Sequence, residues 1–170
     1  AAGITKIQGI LNGTTNYILG EMSSGAGYED ALKQAQELGY AEADPTGDVE
    51  GYDAAAKVVI LGNLLMDLSL TLDDIDREGI SHITKNDIYN ATSLNKHWKL
   101  IGTVEKHNDG FLASVKPEMI SSEHPLASIK GATNAITYST ELLGDITLIG
   151  RLETGYAVIE DILSIHKNSR

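Results

Sequence analysis

The chain has 170 residues, of which 42% are hydrophobic and 22% charged, which suits one globular domain with a core of its own. Its formal net charge of -11 excludes nucleic acid and anionic membrane as main partners, because phosphate binding draws on clustered Lys and Arg. There is no cysteine, which rules out disulfides and thiolate metal sites; no apolar run approaches the roughly 20 residues of a spanning helix, and the opening AAGITKIQG lacks a signal-peptide core. A soluble, cytoplasmic protein is expected.

Taken in chain order, the first half reads as helical. Ile10, Leu11, Tyr17, Ile18 and Met22 recur at helix-like spacing in GILNGTTNYILGEM, with Asn12 to Thr15 as candidate N-caps. YEDALKQAQELG reads as a second helix, with Glu29 and Asp30 in its first turn and Gly39 at its end, as the helix dipole and C-cap rules prefer. A third helix is expected from about Glu50 to Met66, carrying an apolar stripe of Ala54, Val58, Leu61 and Leu65. The second half changes period. WKLIGTVEK, GFLASVKPEM, ATNAITYST and LLGDITLIG are rich in β-branched residues and predict four strands, the first two joined as an antiparallel hairpin through His107–Gly110. TGYAVIEDILSIHK predicts an amphipathic closing helix with Val158, Ile159, Ile162, Leu163 and Ile165 on one side. Helices followed by strands imply an α+β domain, a mostly antiparallel or mixed sheet with helices on one face, spanning 1–170.

Between the second and third helices the chain crowds Glu42, Asp44, Asp48, Glu50 and Asp53 together. A solvated turn explains much of this, since Asp favours turns and Asp53 with Lys57 is an ordinary i,i+4 pair; Asp44 with Pro45 reads as a turn former and Asp48 as a cap of the third helix. A calcium loop counted from Asp44 fails, because its sixth position is Val49 where glycine is needed. Lys57 is different: it sits in DAAAKVVILGNLL with apolar flanks, so its stem lies against the core and its amine faces the acidic loop. An amine so placed can exchange protons with a ligand, and the spare carboxylates can hold a ligand ammonium group. The five histidines are scattered without a metal-binding spacing and read as surface or turn residues, while Trp98 reads as core; no metal is expected.

GILNGTTNYIL followed by LGYAEADPTGDVEGYDAAAKVVIL resembles the two signature segments of the homoserine dehydrogenase family, in its dimerisation and substrate-binding domain; GISHIT, WKLIGTVE and SSEHPLASIKGATNAI resemble it too. The resemblance implies a fold similar to the C-terminal domain of glyceraldehyde-phosphate dehydrogenase. It also implies NAD- or NADP-dependent interconversion of L-homoserine and L-aspartate 4-semialdehyde, in threonine and methionine biosynthesis. Carried over by position, Lys57 is the acid/base, while Glu42, Asp53, Gly39, Tyr40 and Thr14 surround the substrate. On the residues alone, Thr14 in NGTTN reads first as a helix cap.

No G-x-G-x-x-G turn or βαβ alternation occurs in the 170 residues, and the family carries its dinucleotide-binding domain, with a second active-site lysine, upstream of the matching segment. The family usually has a GxGAG loop before its last helix; here Gly150 runs directly into Arg151, leaving Gly150 as the position for close backbone approach to the cofactor. A homodimer is expected, on the argument that apolar residues alternating onto the helix-free sheet face need cover. The alternative reading is a non-catalytic dimerisation or amino-acid-sensing module that retains the pocket.

Overall fold

The computed structural model describes residues 3–107 and 110–150. The first element is a strand, not part of a helix. β1 (Ile4–Ile10) is paired on both sides, to β3 (Lys96–His107) and to β5 (Asn134–Thr140), antiparallel in each case. β4 (Gly110–Ser121) closes the expected hairpin with β3, with His107 opposite Gly110, and β6 (Gly144–Gly150) pairs with β5. The unexpected β2 (Asp76–Arg77) adds a short parallel edge to β4, so the six-stranded sheet runs β2-β4-β3-β1-β5-β6 and is mixed. The expected α+β architecture stands, and the closing helix expected over 154–167 lies outside the described residues.

Helices α1 (Gly13–Ser23), α2 (Tyr28–Glu37), α3 (Thr46–Val49), α4 (Tyr52–Met66) and α5 (Lys85–Ser93) complete the fold. Asn12 caps α1 by accepting from the Thr15 amide at 2.9 Å, which fixes the break between strand and helix that the apolar spacing of Ile10 and Leu11 concealed. α5 starts with a reciprocal capping box between Thr84 and Asp87 and buries Ile88 and Ala91. α4 faces the core through Ala54, Ala55, Val58, Gly62 and Met66; Ala54 and Val58 are buried as expected, while Leu61 is only half-buried and Leu65 exposed, so the stripe shifts by one position in the second half of the helix. Small residues bring α4 close to the sheet. At Gly102 of β3 a Cβ would lie 2.8 Å from both Leu11 Cδ1 and Val58 Cγ2, so a side chain there would push the helix off its strand.

Ile7, Leu100, Val104, Ala113 and Val115 face the helices in the main core, while Ile10, Ile101, Ile120 and Ala135 face the other way, under a 3-10 turn at Pro125–Ser128. Away from that turn the open sheet face is polar, contrary to the apolar alternation expected there. It carries Lys6 paired with Glu105 at 3.2 Å, Thr137 bonded to Thr147 at 2.8 Å, and Thr103 beside Ser114. Trp98 packs against the edge of the core and donates its ring N–H to the Asp87 carbonyl at 3.1 Å. Among the described residues no helix is long and apolar enough to cross a membrane.

Among the described residues one charged side chain lies inside. Lys99 is 5% exposed and donates to Asn16 Oδ1 at 2.8 Å and to the Ile129 carbonyl at 2.6 Å. Asn16 in turn donates to the Gly131 carbonyl at 2.8 Å, so the pair clamps the segment leading into β5 onto α1. The two acceptors match the two N–H bonds of an uncharged amine, and burial, aided by the Lys130 charge, pulls the Lys99 pKa down to about 8. Between that value and the ordinary 10.5 the unfolded chain holds a proton that folded Lys99 has released, so stability rises with pH across that window. A gap of this size is worth about 3 kcal/mol. Urea unfolding of wild type and Lys99→Met should therefore diverge in favour of wild type from pH 8 to 10.5, a difference that isolates the lysine from the half-buried tyrosines Tyr28 and Tyr138, which act in the opposite sense. Parallel curves would refute the buried-amine account.

Candidate active site

Three chain segments converge on the end of β1. The turn after β1 supplies Asn12, Gly13 and Thr14; the α2–α3 connection supplies Gly39, Tyr40, Glu42 and Asp44; α3 and α4 supply Gly47, Asp48, Asp53 and Lys57. Together with Ala132 and Asn134 they line a cleft of about 530 Å³. Thr14, Gly39, Tyr40, Glu42, Asp53 and Lys57, proposed from the sequence as one site, all fall on its wall. Local chemistry explains how. Gly39 ends α2 with φ of 74°, which turns the chain back so that the Tyr40 amide bonds the Ala35 carbonyl at 2.8 Å. The Tyr40 ring then meets Tyr17 edge-on at 5.1 Å, and Thr14 Oγ1 donates to the Tyr40 carbonyl at 2.7 Å. That hydroxyl is a pin for the loop, and the Tyr40 carbonyl is already engaged. Gly13 is needed for closeness, since a Cβ there would lie 2.7 Å from the Ala132 carbonyl oxygen on the opposite wall.

Lys57 Nζ donates to Asp53 Oδ2 at 2.7 Å and to the Leu11 carbonyl at 2.9 Å, with both side chains about a third exposed, 36% and 39%. Asp53 Oδ2 also accepts from Asn12 Nδ2 at 2.9 Å, and the same amide nitrogen donates to Asp48 Oδ1 at 2.6 Å. Asp48 therefore sits within α3, tied to Asn12, and does not cap the third helix as its sequence position suggested; that helix begins after Gly51 in a left-handed conformation. Asp44 does form a turn: the Thr46 hydroxyl at 2.6 Å, then the Thr46 amide at 3.1 Å, hold its carboxyl below the usual carboxylate range. Glu50 points elsewhere, accepting from Ser81. Four carboxylates thus border the cleft against one lysine, an imbalance that favours a cationic ligand group.

A second cavity, about 440 Å³, opens on the other side of Lys57 between α4 and the β5–β6 pair. It is apolar, walled by Ile10, Leu11, Ile60, Leu61, Ala135, Ile136, Leu148 and Ile149, and Gly150 stands on its rim, not in the acidic cleft. Only Lys57 and Asn134 line both cavities. Asn12 and Asn134 were missed as site residues. Asn12 signalled only a cap, because its contacts to Asp48 and Asp53 are made across the fold, and Asn134 carries no local signal at all. The described histidines serve locally: His82 meets Glu78 at 3.3 Å, His97 meets the Ser122 hydroxyl at 3.1 Å, and His124 accepts from the Leu126 amide at 3.2 Å.

The α+β fold is shared with solved homoserine dehydrogenase structures. The homoserine dehydrogenase of S. aureus matches 98% of this chain with a TM-score of 0.91 and 43% identity, the match covering 43% of that chain. A hyperthermophilic archaeal homoserine dehydrogenase mutant in complex with NADPH matches 95% of it with a TM-score of 0.77 and 31% identity, over 47% of that chain. The family model for homoserine dehydrogenase matches residues 1–163, and the chain belongs to that family. An NAD(+)-dependent homoserine dehydrogenase of Pseudomonas canavaninivorans is 49% identical over 99% of this chain, and the Bacillus subtilis homoserine dehydrogenase is 40% identical over 98%. The chain spans 49% and 40% of the length of those two relatives.

The shared amide of Asn12 makes a sharp test. Asn12→Asp keeps an oxygen for the Thr15 amide but sets a third carboxylate against Asp48 and Asp53, so it should destabilise at pH 7 by about 2–4 kcal/mol and recover much of that loss near pH 4 as the cluster takes up protons. Asn12→Ser, which keeps the cap without adding a charge, should show a smaller loss and a smaller recovery near pH 4. Equal deficits for the two variants at both pH values would show that charge sharing through Asn12 is unimportant.

Proposed function

We propose that the acidic cleft binds L-homoserine or L-aspartate 4-semialdehyde and that Lys57 is the acid/base of their NAD- or NADP-dependent interconversion, within threonine and methionine biosynthesis. The observation that carries this reading is the position of Lys57 Nζ, ion-paired to Asp53 at 2.7 Å, between a carboxylate-lined cleft and an apolar cavity. Each half suits one reactant. Glu42 and the Asp48–Asp53 pair attract the substrate ammonium group, and the N-terminal turn of α1 at Gly13 and Thr14 favours its carboxylate through the helix dipole. The apolar walls suit a flat ring from which water must be excluded, and no heavy atom of the described residues lies within 4 Å of a Cβ added at Gly150. Asn134 is the one uncharged polar side chain on the described wall, so the cavity suits a nicotinamide ring.

When bound, the nicotinamide exchanges a hydride with the substrate's terminal carbon. The chain's own contribution is the proton. An ammonium held by Asp53 and the Leu11 carbonyl has one N–H left to give the aldehyde oxygen as the C–H bond forms; in the reverse direction the amine takes the hydroxyl proton as the C–H bond breaks. Asp53 orients the amine and, with Asn12, keeps its own second contact fixed, so the proton donor is positioned before substrate arrives. The dinucleotide is held mainly by a separate binding domain in this proposal, and two copies of the chain form a homodimer.

The experiment is substitution of Lys57 in the complete enzyme. If it moves the proton, Lys57→Ala lowers kcat by about 10²–10⁴, worth about 3–5 kcal/mol, with cofactor affinity unchanged. Asp53→Ala should raise KM for homoserine as well as lower kcat, because a carboxylate that places the substrate acts before and during the transition state. Retention of more than about a tenth of kcat in Lys57→Ala would remove the acid/base role. The 170 residues alone, given homoserine and either dinucleotide, should show no turnover; light scattering should show more than the 18.2 kDa monomer.

A further inference from the structure

We propose that Lys99 and Asn16 are positioning residues for the substrate: by gripping residues 129–133 they set the width of the acidic cleft beside the first turn of α1. The inference rests on the homoserine reading above, in which that turn receives the substrate carboxylate. Neither side chain lines either of the two cavities that meet at Lys57, so whatever the pair contributes there passes through the segment it holds. Asn16 Nδ2 lies 2.8 Å from the Gly131 carbonyl oxygen, 3.3 Å from that of Thr133 and 3.4 Å from that of Ile129. Lys99 Nζ completes the grip, donating to the Ile129 carbonyl at 2.6 Å and to Asn16 Oδ1 at 2.8 Å. Carbonyls of every second residue thus turn toward the clamp, while Ala132 and Asn134 stand on the cleft wall.

The gap they govern is narrow. Gly13 and Asn16 lie one turn apart on α1, so the same turn borders the cleft and grips its opposite wall. A Cβ on Gly13 would come within 2.7 Å of the Ala132 carbonyl oxygen, which leaves the wall little room to shift without changing the cleft. Asn16 is 1% exposed and Lys99 5%. Burying an amine and an amide is costly, and hydrocarbon side chains would fill the same space, so net stability is a poor account of the pair. Hydrogen bonds fix the direction and length of each contact, and a shift of the segment by about 1 Å would break bonds where packed hydrocarbon would only slide.

The test is the split between KM and kcat in the complete enzyme, with dinucleotide saturating. Lys99→Met removes both amine contacts at similar volume, and Asn16→Ser removes the contacts to the three carbonyls. Each should raise KM and the calorimetric Kd for homoserine about 3–10-fold, the worth of a neutral hydrogen bond, with kcat per folded molecule held within about twofold. A clamp that served stability alone would lower the folded fraction, and with it the apparent kcat, while leaving KM untouched. Ile88→Ala, a buried change on α5 that lines neither cavity, supplies that control. Unchanged homoserine affinity in whichever clamp variant folds, or the same rise in Ile88→Ala, overturns the proposal. Hydrogen exchange needs no variant: homoserine bound to wild type should slow exchange of the amides at 131–134, and no slowing there overturns it as well. Failure of wild type to bind or oxidise homoserine would instead overturn the proposed reaction, so the two claims fail separately.

Discussion

One amide nitrogen, Nδ2 of Asn12, lies between two carboxylates that would otherwise repel. Asp48 and Asp53 come from different helices, and each is held by the same neutral donor, at 2.6 and 2.9 Å. The other end of that amide starts α1. Moving Asn12 would therefore release the first helix, separate α3 from α4, and leave Lys57 with a partner free to rotate. Distributing negative charge over a fixed amide also avoids spending a second cation in the cleft, which keeps its field negative for a ligand. Fold and site are the same construction at this point.

How much of this could be read from residues depends on whether the signal was local. The hairpin at β3–β4 and the strands β5 and β6 follow from β-branched runs punctuated by Gly, Asn and Asp, and all stand where expected to within two residues at most ends. β1 was missed because Ile10 reads with Leu11 into the following helix and the mixed run ITKIQG carries no clear alternation; in the sheet Ile7 faces one core and Ile10 the other. α5 hid behind a polar sequence, KNDIYNATS, although its Thr84–Asp87 box was a local signal that could have been used. β2 is two residues long and exists only because β4 offers an edge. The acidic segment was legible as a site because its density of charge is unusual beside an apolar helix. Which carboxylate does what was not legible: Asp48 and Glu50 are two positions apart and face different partners, Asn12 and Ser81.

In the proposed reaction the two cavities divide the work between a polar substrate and a hydride acceptor. Carboxylates need water or a cation nearby, whereas a hydride acceptor needs water kept away, and a single pocket serves both poorly. Among the described residues the wall between them is one lysine and one asparagine, a cation beside carboxylates and an amide beside hydrocarbon. The buried Lys99–Asn16 clamp acts at a distance on this arrangement, since it sets the segment carrying Ala132 and Asn134 to the far wall.

The central place of β1 has a consequence for how the molecule assembles. Lys6 pairs with Glu105, and Ile7 pairs with both Val104 and Tyr138, so the strand in the middle of the sheet is the one whose partners lie farthest along the chain. During synthesis it must wait, unpaired and with Ile7 and Ile10 uncovered, until most of the domain has left the ribosome. Sheets closed by such remote pairings cross a high entropic barrier and form slowly. β3–β4, adjacent in sequence, is the natural place for the sheet to nucleate, and the early strand would be captured last, at the step where the cleft it borders first comes into being.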